Sequence, residues 1–181
     1  MIRSLFLMFI LITPALSQAQ EPDAAAALSR SIEQLRSTLG KWDVVTDFLA
    51  PDGSVSKSVT GTYEFSWVVV DRVLTGKSVI PELDQASGIL FYINDKKGFI
   101  EMVSVGADGT LWVMTGPLGE ETRLTKEFPT TTGGTGQLRF TRFNVNPDAF
   151  ESKMEYTEDG GQSWTAGNHQ QFRRAERAEN G

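Results

Sequence analysis

Between residues 24 and 39 the apolar positions follow a helical period. Leu28, Ile32, Leu35 and Leu39 fall at offsets 0, 4, 7 and 11, one stripe on a 3.6-residue repeat. Asp23 stands where an N-cap is expected, and Gly40 where a left-handed C-terminal cap is expected. A lone amphipathic helix must lay its stripe on something, most simply the open end of a sheet or barrel.

From Trp42 onward the period changes to two. Trp42, Val44, Thr46 and Phe48 share one face of a strand, and Pro51-Asp52-Gly53-Ser54 then turns the chain. Val59, Gly61, Tyr63, Phe65 and Trp67 alternate with Thr60, Thr62, Glu64 and Ser66, a half-buried strand. Further strands are predicted over 72–80, 88–94, 98–105, 110–115, 122–128, 137–145, 150–157 and 163–173. Their connections, such as Gly106-Ala107-Asp108-Gly109 and Asp159-Gly160-Gly161, are too short for the crossover that parallel strands need. The pattern is an antiparallel meander of about ten strands.

So many sequential strands leave long edges unless the sheet closes, and an up-and-down barrel removes them. Alternate positions would line its interior: Trp42, Phe48, Tyr63, Phe65, Trp67, Phe91, Phe150, Met154, Tyr156 and Trp164, with Thr46, Asn168 and Gln170 as polar members. Two strands are apolar on both faces, through Leu90-Phe91-Tyr92-Ile93 and Leu111-Trp112-Val113-Met114. Their outer faces would lie under the helix or in a dimer contact. The expected organisation is a signal peptide at 1–19, a tether and helix at 20–38, the barrel at 39–174 and a tail at 175–181.

Composition narrows the chemistry. The 181 residues hold no Cys and one His, which excludes disulfides, thiolate nucleophiles, zinc-thiolate sites and multi-His metal sites. A net charge of −6 argues against nucleic acid and anionic membrane as bulk electrostatic partners. The first residues read as an export signal. Arg3 precedes the apolar run from Leu5 to Ile12, Pro14 breaks it, and Ser17 and Ala19 suit cleavage before Gln20. The apolar run is too short for a membrane span of about 20 residues. This style of signal points to the bacterial periplasm or the medium, with no stable membrane insertion after cleavage.

Gly40-Lys41-Trp42 opens the first strand after a short helix, and Arg173 and Arg174 close the last. That pairing resembles the calycin or lipocalin-like superfamily, where G-x-W starts the barrel and a late Arg packs across the Trp. The run of hairpins and the segment Tyr156-Thr157-Glu158-Asp159-Gly160-Gly161-Gln162-Ser163-Trp164 resemble a lipocalin-like family of small bacterial domains, several of them exported. The likeness covers roughly Leu39 to Arg174. It implies a barrel with an internal pocket for a small apolar molecule, and it implies no particular reaction.

Other constellations have plain readings. Thr157-x-Asp159-x-Gly161-x-Ser163-Trp164 also resembles the Asp-box of sialidase-type propellers, but a single copy cannot make a propeller. It reads as a turn whose Asp binds nearby backbone N–H groups while the Trp packs in the core. His169 could serve as a haem ligand only if it faced inward. Alternation from Trp164 to Phe172 puts it outside, and a β-bulge would reverse that parity. Glu101 shares parity with Phe99 and Val103, and burial there would raise its pKa and suit it to act as a base. Asp43 and Asp47 sit at strand spacing, unlike a calcium loop. No P-loop, dinucleotide fingerprint or nucleophile elbow occurs.

The expected function is therefore non-covalent binding of a small hydrophobic molecule, with no cofactor, metal or catalytic residue assigned. Its expected contacts are Trp42, Tyr63, Phe65, Phe91, Tyr156, Trp164, Asn168 and Gln170. The alternatives are a filled barrel acting as a homodimer or interaction module, and a haem-binding or enzymatic barrel using His169 or Glu101.

Overall fold

A computed structural model describes residues 21–131 and 133–176. The expected signal segment at 1–19 and the tail beyond residue 176 lie outside the described residues. One helix, α1 (Glu21–Thr38), precedes the strands β1 (Gly40–Leu49), β2 (Val55–Val69), β3 (Val73–Ile80), β4 (Gln85–Asn94), β5 (Phe99–Val105) and β6 (Leu111–Pro117). There follow β7 (Thr122–Thr125), the two-residue β8 (Phe128–Pro129), β9 (Thr135–Phe143), β10 (Ala149–Thr157) and β11 (Thr165–Arg174). Each strand from β1 to β7 pairs antiparallel with the next, β7 pairs with β9, β9 with β10, and β10 with β11. β11 returns to β1, so ten strands close an up-and-down barrel and β8 is a short addition to the edge of β9.

The strand expected over 122–128 is two pieces. Leu138 N donates to Thr125 Oγ1 and Gln137 Nε2 donates to the Thr125 carbonyl, so side chains take over the ladder and the strand ends there. The helix starts earlier than expected, which leaves Asp23 inside its first turn instead of at the N-cap.

α1 lies over one end of the barrel. Leu35 is buried in the core, and Leu28, Ile32 and Leu39 pack against it, which completes the stripe seen in the sequence. Specific bonds hold the helix there. Gly119 N donates to Ser31 Oγ at 2.8 Å, Gln34 Nε2 donates to the Gly119 carbonyl at 3.1 Å, and Arg36 forks onto Asp71 at 2.9 and 2.7 Å. At the same end Trp42 is fully buried, with Phe150 edge-on at 4.7 Å. Its indole N–H donates to the Thr38 carbonyl at 2.8 Å, so the last turn of α1 satisfies the one polar atom of the ring.

Arg174, the Cα partner of Trp42 across β1 and β11, lays its guanidinium 4.0 Å over the indole and donates to the Leu39 carbonyl. This is the packing of a late Arg across the Trp that the G-x-W resemblance implied. Gly40 has φ 102, a left-handed conformation that favours glycine, and the Arg174 guanidinium packs over the space a Cβ would take. Among the described residues no helix is long and apolar enough to cross a membrane.

The outer faces of the two doubly apolar strands are not covered by α1. Leu90 on β4, Val103 on β5 and Val113 on β6 stand in register, and Leu90, Tyr92, Val105, Leu111 and Val113 are exposed.

Candidate ligand-binding site

Inside the barrel, below the helix, lies a cavity of about 350 Å³, within the usual range for small-molecule pockets. Tyr63 and Phe65 from β2, Phe91 from β4, and Phe150 and Phe172 from β10 and β11 supply much of its aromatic wall. Ile89, Met102, Met114, Leu138, Phe140 and Met154 add aliphatic, thioether and further aromatic surface, and Leu35 roofs it from α1. The rings are interlocked: Phe150 stacks on Phe172 at 4.1 Å, Tyr63 meets Phe172 edge-on at 5.1 Å, and Phe65 tilts against Phe91 at 6.3 Å. Phe65 also covers Gly76 on β3, where a Cβ would strike its ring. A wall assembled this way holds its shape without a ligand.

Of the residues expected at the site, Tyr63, Phe65, Phe91, Asn168 and Gln170 line the cavity, and Trp42, Tyr156 and Trp164 do not. Trp42 is wholly consumed by its packing with Phe150, Phe172 and Arg174. Tyr156 sits near the far end of β10 and is exposed. Trp164 is displaced by a β-bulge. Met154 pairs with Asn168 but Glu155 pairs with Ala166, so Gly167 is the extra residue and the parity of β11 flips there. Trp164 consequently lies on the outside, with the Arg139 guanidinium 4.0 Å above it and Glu155 bound to Arg139 at 2.9 Å. Phe48 and Trp67, also expected inside, are half-buried and outside the lining.

The same bulge leaves the other half of β11 as the alternation predicted. Asn168, Gln170 and Phe172 point inward, and His169 points outward, where it bonds Glu151 at 2.7 Å and stacks near Phe143. Glu101 falls between the buried Ile100 and Met102 and so faces away from the cavity, half-buried on the outer surface. The segment resembling an Asp-box is a turn, as expected. Asp159 accepts from Ser163 N, Ser163 Oγ and Thr157 Oγ1, and these donors hold its carboxyl far below the usual carboxylate range. Among the described residues no group of three or more His, Asp or Glu side chains is gathered to hold a metal ion.

The polar groups of the cavity divide into those already occupied and those that are free. Gln170 is occupied: its amide donates to Thr46 Oγ1 and to the Tyr63 hydroxyl, both at 3.0 Å, and accepts from Ser152 Oγ at 3.2 Å. Arg142 is occupied too. It forks onto Glu121 at 2.9 and 2.7 Å and donates to Thr38 Oγ1 at 2.7 Å and Ser37 Oγ at 3.2 Å.

Arg123 is free. It is only 3% exposed, lines the cavity, and has neither an ion pair nor a hydrogen bond from its guanidinium among the described residues. Phe91 and Phe140 flank it at 5.4 and 5.9 Å. Burial pushes its pKa down to about 10 against the attraction of Glu121, so it remains a cation at neutral pH.

Sequence reasoning did not single out Arg123. Hydropathy in Thr122-Arg123-Leu124-Thr125 favours Leu124 as the inward residue, yet Leu124 is 36% exposed and its neighbour is buried. Pairing decides the matter: Arg123 stands opposite Phe140, whose ring faces the cavity. Gly116 on β6 gives it room, since a Cβ there would run into the Thr122 carbonyl and the Arg123 stem.

No protein family's sequence profile matches the chain, and no curated protein sequence matches it. Solved structures do. Rv2717c from M. tuberculosis aligns with a TM-score of 0.50 at 12% identity, over 81% of this chain and 98% of its own. The S-type phycobiliprotein lyase CPES from Guillardia theta aligns with a TM-score of 0.48 at 9% identity, over 85% of this chain and 98% of its own. The protein EF1p2_mFAP2b, solved bound to DFHBI, gives 0.40 at 12% identity, over 81% and 98%. At this identity the likeness to Rv2717c is one of fold. The chain is thus a closed antiparallel barrel of the lipocalin-like kind, as the resemblance of its first and last strands implied.

Proposed function

We propose that this protein binds one small, largely apolar molecule inside the barrel, without chemistry, and does so in the bacterial envelope or medium after loss of residues 1–19. The observation that carries the reading is the cavity of about 350 Å³ walled by aromatic and aliphatic side chains. Each Å² of apolar ligand surface removed from water contributes roughly 25 cal/mol, and a preformed wall spares the cost of ordering side chains on binding. The export pattern at Arg3, Leu5 to Ile12 and Ala19 supports the location.

Native mass spectrometry of the protein purified from its own envelope tests this. An added mass that is lost on denaturation is expected. A bare native mass, together with failure to take up any neutral apolar fluorophore, would overturn the reading. A second reading, self-association, rests on the exposed Leu90, Tyr92, Val105, Leu111 and Val113 on the outer face of β4 to β6. Light scattering across a concentration series tests it: a mass that doubles with concentration supports a dimer, and a constant monomer mass removes it.

A further inference from the structure

Among the described residues two buried side-chain polar atoms have no hydrogen-bond partner, Arg123 Nε and Gln34 Oε1. Both residues line the one cavity just described. Buried polar groups left unsatisfied are rare, and a buried cation without a counter-charge is costly. Glu121, two positions along the chain, is committed to Arg142 through both carboxylate oxygens. Thr125 Oγ1, the next inward oxygen on β7, accepts from Leu138 N. The neighbouring polar groups Glu121, Arg142, Thr125 and Gln170 are partnered, whereas the Arg123 guanidinium has only the Phe91 and Phe140 rings beside it.

Resting on the ligand-binding reading, we infer that Arg123 is the anchor for an anionic head group, so that the ligand is an amphiphile with an apolar body and a single acid group of the carboxylate class. The guanidinium presents parallel N–H donors, which suit the two oxygens of a carboxylate. Phe91 and Phe140 flank the guanidinium at 5.4 and 5.9 Å and place it against the apolar wall along which the body of such a ligand would lie. One negative charge is the number that balances the cavity, because the other buried guanidinium, Arg142, is already neutralised by Glu121. The body of the ligand would then lie along Phe65, Met102, Leu138 and Met154. Gln34 Oε1, an acceptor on the helix above, would take a hydroxyl or N–H of the ligand or a water.

The test is calorimetric titration of the mature protein with decanoate and with decanol, which share the chain and differ in charge, repeated on Arg123→Met. The wild type is expected to bind decanoate about ten- to a hundred-fold more tightly than decanol, the range of a charge-assisted hydrogen bond. Arg123→Met should erase that preference, so that decanoate and decanol bind the variant within about threefold of each other, since a thioether keeps that part of the wall apolar. The wild-type ratio alone carries the test if the variant does not fold. Equal binding of acid and alcohol by the wild type would overturn the anionic anchor and leave apolar binding standing. A preference for decanoate that survives in Arg123→Met would overturn the assignment to Arg123. Binding of neither probe would overturn both.

Discussion

Among the described residues two arginines are buried in this barrel, on neighbouring strands two residues apart in register, and they live in opposite circumstances. Arg142, 6% exposed, is the hub of the helix-covered end: it holds Glu121 by both oxygens, reaches Thr38 and Ser37 on the last turn of α1, and lies over Phe150. Arg123, equally buried, lies beside the Phe91 and Phe140 rings in the cavity lining and has no hydrogen bond or ion pair among the described residues. The first is what a structural arginine looks like, since Nε and Nη2 hold Glu121 and Nη1 ties the last turn of the helix to the barrel. The second carries a burial cost, on the order of 3 kcal/mol from the lowering of its pKa, with only two aromatic rings and the more distant Glu121 charge to offset it. Burial alone therefore does not separate structure from function here; the state of the partners does.

The largest expected effect comes from breaking the satisfied member. Glu121→Ala strands Arg142 as an uncompensated buried cation and should destabilise the protein by about 3 kcal/mol in urea unfolding, less than a wholly buried pair because Glu121 is partly exposed. Adding Arg142→Met to that variant should recover part of the loss, because removing both charges is cheaper than removing one. The opposite sign is expected for the other arginine: Arg123→Met should raise stability in ligand-free protein by about 1–2 kcal/mol, seen as a melting temperature a few degrees higher. A clear loss of stability in Arg123→Met would mean that its contacts with Phe91 and Phe140 outweigh its burial, and the contrast would fall. Thr38→Val, which removes one acceptor of Arg142, should cost about 1 kcal/mol.

The smallest effect concerns a charge that is fully served yet exposed. Asp159 is held in its ionised form by Ser163 and Thr157, so its folded pKa lies below the unfolded one. Its stabilisation is complete above the unfolded value and is lost as pH falls through the acid range. Asp159→Asn should flatten the acid limb of the stability curve while leaving decanoate binding unchanged, and an unchanged acid limb would remove the turn from this account.

How much of this was legible in the sequence follows from what sets each feature. The helix stripe, the alternation in β1 and β2, the short turns and the Trp42–Arg174 pair are local or rest on a short motif, and they placed the barrel and its covered end. Three of the expected contacts failed for reasons that pairing, strand stagger and packing decide. Trp164 was moved outside by the bulge at Gly167, and nothing in the alternation of Trp164, Ala166 and Asn168 marks which residue is the extra one. Tyr156 keeps inward parity beside Leu138 but stands near the rim, because barrel depth depends on strand stagger. Trp42 is aromatic, inward and buried, yet its neighbours fill the space a ligand would need. Arg123 was missed because a short strand between turns, with Leu124 beside it, reads more naturally with its leucine inside; only the register against Phe140 reverses that.

The central claim is that the Arg123 guanidinium waits for an acid. Nitrogen-15 NMR of the arginine Nε–H groups observes it directly. In the ligand-free protein the Arg123 Nε–H signal should lack the shift of a charge-assisted hydrogen bond that Arg142 shows, and saturation with decanoate should bring it into that range while decanol leaves it in place. An Arg123 signal that does not move when decanoate fills the barrel would contradict the account.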